Sequence, residues 1–336
     1  MIPRDAYWVR MPRFIGDAVM IHQALGGLRR ASIPLVAWGP SPLMELFEGS
    51  SGFEACVSDD EPKFATMIDL LRKNHAKGVI NLPRSSRALV AAFFARTPHR
   101  IGWSEGGGWA LATSSLPFKK QAGHQIQRYH QLLGKAFPEL DWNGLDLFCP
   151  RKEAFEWARS LRTSLKISSP YVVIGIGAKH WNKRLGAGVL VDLWDHLVSR
   201  NFSVLILGGP QAEDVAQGQE IQALRPDAKV ACGKSSLSVS AALIAEASAM
   251  VGNDSSLSHL AAASGICTLV AFGPTLPQMT APQGMNAHVF RKESLTCLGC
   301  MRFDCHIHTH ACMQEIEVTP MLEVIDSVCG TGKGKA

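Results

Sequence analysis

Short apolar runs alternate with longer stretches of helical periodicity from one end of the chain to the other. Runs at 6–10, 35–39, 53–57, 78–82 and 100–103 read as strands. Periodic stretches at 17–30, 62–74 and 86–95 read as the helices between them, and 124–137 as a further helix ending before Pro138. The pattern resumes with strands at 171–175, 203–207, 229–231, 249–251 and 267–272, separated by helices at 189–199, 212–223, 239–248 and 256–263. A strand that is apolar throughout has no polar face to give to water, so it belongs in a parallel sheet covered by helices on both sides. The expected class is α/β, built of two doubly wound halves.

The stretch 138–150, with Asp141, Asn143, Gly144 and Asp146, has turn formers and little periodicity, and is expected to link the halves. This gives a first domain at 1–145 and a second at 146–318. After Pro282 the pattern lapses into a loop rich in cysteine and histidine, followed by a helix at 319–328 and a frayed tail, so that 319–336 forms a terminal segment. At 336 residues the chain has room for two cores.

With 46% hydrophobic and 19% charged residues, the chain is neither disordered nor collagen-like. Its 34 Lys and Arg against 29 Asp and Glu leave a net charge of +5, milder than a nucleic-acid specialist concentrates. The excess suits small anionic ligands or an anionic membrane surface, or is a basic surface with no role. No uncharged apolar run of about 18 residues exists to span a membrane. Arg4, Asp5, Arg10, Arg13 and Asp17 interrupt what would be a signal-peptide core, so a cytoplasmic location is expected. Nine cysteines, five of them scattered, suit reduced thiols in that compartment.

Three loops carry candidate chemistry, each at the end of an expected strand, where ligands sit on a parallel sheet. In the first, Gly16-Asp17 follows strand 6–10 and opens a helix; Asp17 is either a helix cap or a general base. In the second, Gly175-Ile-Gly177-Ala178-Lys179-His-Trp-Asn-Lys183 offers glycine-lined space and lysines, suiting a diphosphate or else a solvated basic loop. The third runs Asn253-Asp254-Ser255-Ser256-Leu257-Ser-His259 and continues to Phe272-Gly273-Pro274-Thr275; its polar residues at a helix start favour an anionic group, the plainer reading being a cap and a partly buried histidine. Separately, Cys297-x₂-Cys300-x₄-Cys305-x₆-Cys312, interleaved with His306, His308 and His310, is either a tetrahedral zinc or iron site or a set of reduced thiols or opportunistic disulfides.

In order and separation, the Gly16-Asp17 loop, the Lys183 loop, the Asn253–His259 turn and Phe272–Thr275 resemble the bacterial ADP-heptose:lipopolysaccharide heptosyltransferases, glycosyltransferase family 9, over about residues 6–328. The resemblance implies a GT-B fold: two Rossmann-like doubly wound domains facing across a cleft, the first for acceptor and the second for nucleotide-sugar. It implies inverting transfer of heptose from ADP-heptose to an acceptor hydroxyl of the lipopolysaccharide inner core or a similar surface glycan. Asp17 would be the base and Lys183 the diphosphate contact. Gly16, Ala178, Lys179, Glu213 and Ser235 would bind substrate, with Asp254, Ser255, Ser256, Leu257 and His259 forming the nucleotide-binding turn. No cofactor is implied for catalysis and no nucleic-acid partner; a lipid-linked acceptor implies peripheral contact with the inner face of the cytoplasmic membrane. Retention of both Asp17 and Lys183 speaks against a non-catalytic nucleotide-sugar-binding module of the same fold, while another donor sugar stays open.

Overall fold

The computed structural model describes residues 2–50, 52–60, 63–118 and 123–329. The chain divides into two compact units, Met1–Arg151 and Lys152–Ala336. In the first, strands β1 Tyr7–Arg10, β2 Leu35–Gly39, β3 Ala55–Ser58, β4 Gly78–Asn81, β5 His99–Trp103 and β6 Ser114–Leu116 form one sheet in the order β3-β2-β1-β4-β5-β6. Between them lie α1 Ile15–Ala24, α2 Gly26–Arg30, α3 Ser41–Phe47, α4 Phe64–Lys73, α5 Arg87–Phe94 and α6 Gly108–Leu111, with α7 Gln125–Ala136 after β6.

The second unit opens with α8 Lys152–Ser164 and continues through β7 Tyr171–Gly175, a 3₁₀ turn Trp181–Lys183, α9 Ala187–Ser199, β8 Ser203–Leu207, α10 Ala212–Leu224, β9 Lys229–Val230 and α11 Leu237–Ala245. Then follow β10 Ala249–Asn253, α12 Ser256–Ala263, β11 Cys267–Ala271, α13 Pro277–Thr280, β12 Ala287–Phe290, α14 Ala311–Gln314 and α15 Thr319–Cys329. Its sheet runs β12-β11-β10-β7-β8-β9. Every pairing in both sheets is parallel. Numbered within its own unit, each sheet has the order 3-2-1-4-5-6 of a doubly wound Rossmann-like domain, with its switch point between β1 and β4 or between β7 and β10.

The central strands β2, β4, β7, β10 and β11 are buried along their whole length, as their apolar runs require. Trp8 and Trp38 meet edge to face in the first core. The stretch expected as a linker packs on the first unit instead: Phe148 meets His22 and Phe47, and Asp146 accepts a 2.7 Å hydrogen bond from Arg29. The expected helix at 17–30 is two helices joined at Leu25. Gly26 and Gly27 open the second because the 138–150 stretch lies against them; a Cβ on Gly27 would sit 2.7 Å from the Asp141 carbonyl oxygen.

Edge strands β6 and β12, and helices α3 and α8, lie in stretches expected to be irregular or left unassigned. The terminal helix α15 buries Met321, Leu322 and Ile325 in the core of the second unit, in one cluster with Leu193 and Leu197 of α9, while the expected tail at 330–336 lies outside the described residues. No helix among the described residues is long and apolar enough to cross a membrane.

Ile325 is fully buried in that core. Replacing it with alanine should lower the stability of the second unit by about 2–5 kcal/mol, read as an earlier urea midpoint; an unchanged midpoint would show that α15 does not belong to the core.

Candidate functional site

Both switch points carry candidate residues at the C-terminal ends of their strands. In the first unit the chain leaves β1 and enters α1, whose N-cap is Phe14 with no side-chain capping bond. Gly16 is therefore the second helical residue and Asp17 the third. The cap reading of Asp17 fails because its place is inside the first turn, where the positive end of the helix still favours a carboxylate. Asp17 is half-buried and near Tyr129 of α7, whose phenol is pushed up first by burial and then by the Asp17 charge. Asn81, ending β4, donates to the carbonyls of Pro83 (3.1 Å) and Ser85 (2.8 Å) and shapes the facing loop. Arg10 is engaged by Asp59 at 2.5 Å and lies over the Trp38 ring. Burial pushes the Asp59 carboxyl up against the opposing pull of Arg10.

In the second unit β7 ends at Gly175 and the chain turns through Gly177 at φ +91, the left-handed region open to glycine. The Gly177 carbonyl accepts from the Asn253 side chain at 3.0 Å, tying the loop after β7 to the end of β10. The 3₁₀ turn then delivers Lys183, whose Nζ lies 2.6 Å from Asp254 Oδ2. Thr275, beyond β11, donates its hydroxyl to the same oxygen at 2.8 Å. The Asp254 side chain is only 7% exposed and that of Lys183 23%, so the pair is shielded from solvent and each charge depends on the other.

Asp254 stands at the start of α12. Ser255 is the N-cap, Ser256 and Leu257 are the first helical residues, and Leu257 and His259 are buried. The Ser255 hydroxyl caps nothing and, among the described residues, has no hydrogen-bond partner although its oxygen is buried. The helix start thus presents open backbone N–H groups and a hydroxyl beside Lys183, an arrangement that binds anions.

The remaining expected positions are more scattered. The Ala178 carbonyl accepts from Arg184 at 3.0 Å, and Lys179 is exposed. Ser235, half-buried after β9, shares a 2.8 Å hydrogen bond with Ser240. Glu213 is exposed in the first turn of α10; the buried carboxylate here belongs to the next residue, Asp214. Asp214 pairs with Arg184 at 2.5 Å and accepts from the Gly209 N–H at 2.9 Å. It also packs against Gly177, so it braces the Lys183 loop from below. The Asp214–Arg184 and Asn253–Gly177 contacts span tens of residues and leave no mark in local spacing.

None of the nine cysteines is in a disulfide. Cys312 feels the charge of Cys297, Cys305 and Cys300, and burial above all pushes its thiol up to about 11. Even so, among the described residues no group of three or more His, Cys, Asp or Glu side chains is placed to hold a metal ion. The zinc or iron alternative at Cys297, Cys300, Cys305 and Cys312 is thus unsupported among the described residues.

Residues 65–310 match glycosyltransferase family 9 (heptosyltransferase). The chain is 28% identical over 304 residues to lipooligosaccharide heptosyltransferase 2 of Haemophilus influenzae, covering 83% of this chain and 86% of that protein. The structure of Escherichia coli ADP-heptose lipopolysaccharide heptosyltransferase II is similar with a TM-score of 0.78 at 22% identity, covering 96% of this chain and 98% of that one. Escherichia coli heptosyltransferase WaaC, solved with ADP-2-deoxy-2-fluoro heptose, is similar with a TM-score of 0.67 at 16% identity, over 85% and 93% of the two chains. With two Rossmann-like sheets in tandem, these likenesses show the GT-B fold.

A Cβ at Gly177 would lie 2.3 Å from Asp214 Oδ2 in a backbone conformation that alanine resists. Gly177→Ala should displace Asp214 from Arg184 and lower the melting temperature, at a cost of about 1–3 kcal/mol. A variant that melts with the wild type would show that the loop is not pinned there.

Proposed function

Since the chain belongs to glycosyltransferase family 9, it is a glycosyltransferase, and we propose that it transfers heptose from ADP-heptose to a hydroxyl of a lipopolysaccharide inner-core or similar surface-glycan acceptor, with inversion. The observation that carries this reading is the shielded Lys183–Asp254–Thr275 cluster beside the uncapped start of α12. A nucleotide-sugar diphosphate is the kind of ligand such a cluster recognises: Lys183 supplies a point charge, and the N–H groups of Ser256 and Leu257 supply the positive end of a helix. Asp254 holds the lysine's side chain in place, so the donor meets a cation that is already oriented. The Haemophilus relative and the Escherichia coli structures, named as heptosyltransferases, support heptose as the sugar.

In the proposed reaction Asp17 takes the proton of the acceptor hydroxyl as its oxygen bonds to the anomeric carbon of the donor. The bond from that carbon to the diphosphate breaks on the opposite face, which inverts the anomeric configuration, and the electron pair leaves with ADP. Lys183 and the start of α12 stabilise that leaving charge. The first unit is assigned to the acceptor and the second to the donor, and a lipid-linked acceptor would bring the enzyme to the inner face of the cytoplasmic membrane. Positioned base catalysis contributes about 10²–10⁴ in rate.

Asp17→Ala should lower turnover by about that factor and leave donor affinity intact; wild-type turnover in this variant would remove Asp17 as the base. Calorimetry with ADP-heptose, ADP, UDP-GlcNAc and GDP-mannose should show selective binding of ADP-heptose, weakened about tenfold or more by Asp254→Ala. Selective binding of another nucleotide-sugar would change the donor while keeping the site, and no binding of any of the four would overturn the reading.

A further inference from the structure

We propose that His310 is a positioning residue: it fixes the short turn that carries Lys183 and acts on the transfer through that lysine. The inference rests on the role given to Lys183 above. The turn Trp181–Lys183 is a single 3₁₀ turn, too short to hold its own orientation. It is gripped by the stretch 302–313 of the cysteine- and histidine-rich loop. Asn182 is buried, its side-chain amide donates to the Arg302 carbonyl, and its own carbonyl accepts from His310 Nε2 at 2.5 Å. The Trp181 ring lies against the His310 ring with centroids 4.8 Å apart, and His180 meets Phe303 at the same separation. Just past the turn, the Gly186 N–H donates to the Met313 carbonyl at 3.2 Å.

His310 is itself well placed for this work. It is buried, with a left-handed backbone (φ 51) at the start of α14. A carbonyl can only accept, so Nε2 carries the hydrogen and Nδ1 is left to accept from the Gln314 amide at 3.4 Å. The loop that presents it is anchored to the exit of β11, where the Gly299 N–H donates to the Gly273 carbonyl at 2.9 Å and the Met301 N–H to the Pro274 carbonyl at 2.8 Å. Thr275, next along the chain, is the residue that donates to Asp254. The lysine's turn and the hydroxyl that orients its counter-ion therefore hang from one support. A lysine stem is long and flexible, so the position of its Nζ follows the turn that carries it.

The test compares His310→Phe, which keeps a ring against Trp181 and loses the N–H, with His310→Gln, which keeps an amide donor. Acylation by acetic anhydride, followed residue by residue in mass spectra, reads the environment of Lys183 without any sugar ligand. Lys183 should label several-fold faster in the Phe variant and near the wild-type rate in the Gln variant, with exposed Lys179 unchanged in both. In transfer assays with ADP-heptose and inner-core lipopolysaccharide, His310→Phe should lower kcat about 10- to 100-fold with little change in KM, and His310→Gln should restore much of it. The double variant with Lys183→Ala should be no slower than Lys183→Ala alone. Unchanged Lys183 labelling in the Phe variant, or a double variant slower by the product of the two single effects, would overturn the inference. Faster labelling in an enzyme that transfers no heptose would leave His310 as the residue that fixes the turn and would count against the proposed donor instead. If the Phe variant does not fold, His310→Asn, which suits the left-handed backbone but falls short of the Asn182 carbonyl, carries the same comparison.

Discussion

Each sheet is laid down from its middle outward. The chain forms the central strand first, places two strands to one side, then crosses back to place three on the other. Because every pairing is parallel, each connection must return over a face of the sheet, and at the crossing point the loops from two adjacent strands leave in opposite directions. That divergence opens a crevice at the C-terminal edge between β1 and β4 and another between β7 and β10. Asp17 stands at the first, in the first turn of the helix that follows β1, and Lys183 and Asp254 at the second, Asp254 directly after β10 and Lys183 on the 3₁₀ turn that follows β7. The rigidity of the central strands is thereby passed directly to Asp254, whereas Lys183 depends on the contacts that hold its turn.

At the second crevice the two strands come together through glycine. Gly175 and Gly252 are register partners, and a Cβ on Gly252 would lie 2.7 Å from the Gly175 carbonyl oxygen. Bare backbone at this point lets the loops after β7 and β10 begin close enough for Asn253 to reach Gly177 and for Lys183 to reach Asp254. A carboxylate as buried as Asp254 would be costly alone. The lysine and the Thr275 hydroxyl satisfy it, and in the proposed function the lysine they hold is the cation that meets the donor's negative charge.

The alternation of buried central strands and periodic helices was legible: 35–39, 171–175 and 203–207 form strands, and 256–263 a helix, at the expected residues. Strands apolar throughout are unmistakable when helices cover both faces. Two of the four edge strands were missed, since Ser114–Leu116 and Ala287–Phe290 are only partly buried and need no apolar run. Gly26 and Gly27 were read through as part of one helix at 17–30, and Phe148 and Asp146 fell in the expected linker although they pack on the first unit. In the site, the turn residues of Asn253–His259 were visible as a motif, whereas Asp214 was hidden beside Glu213: one residue along a helix turns a side chain by about 100°, from solvent to the interior. Lys183 and Asp254 are far apart in sequence and only the fold joins them. Cysteine spacing, likewise, fixes how near the thiols can come and says nothing about whether they converge.

The two units differ in when their parts become available as the chain is made. The first closes its sheet from residues that emerge together, and among the described residues the core cluster around Trp8 and Trp38 is drawn from positions no later than Ala95. The second starts from β7 but takes core side chains from Met313 to Ile325, the last described helix among them. The turn bearing Lys183 emerges from the ribosome more than a hundred residues before the histidine that grips it. In a growing chain the turn of Lys183 is therefore made well before the loop that packs on it and before the helix that completes the second unit's core.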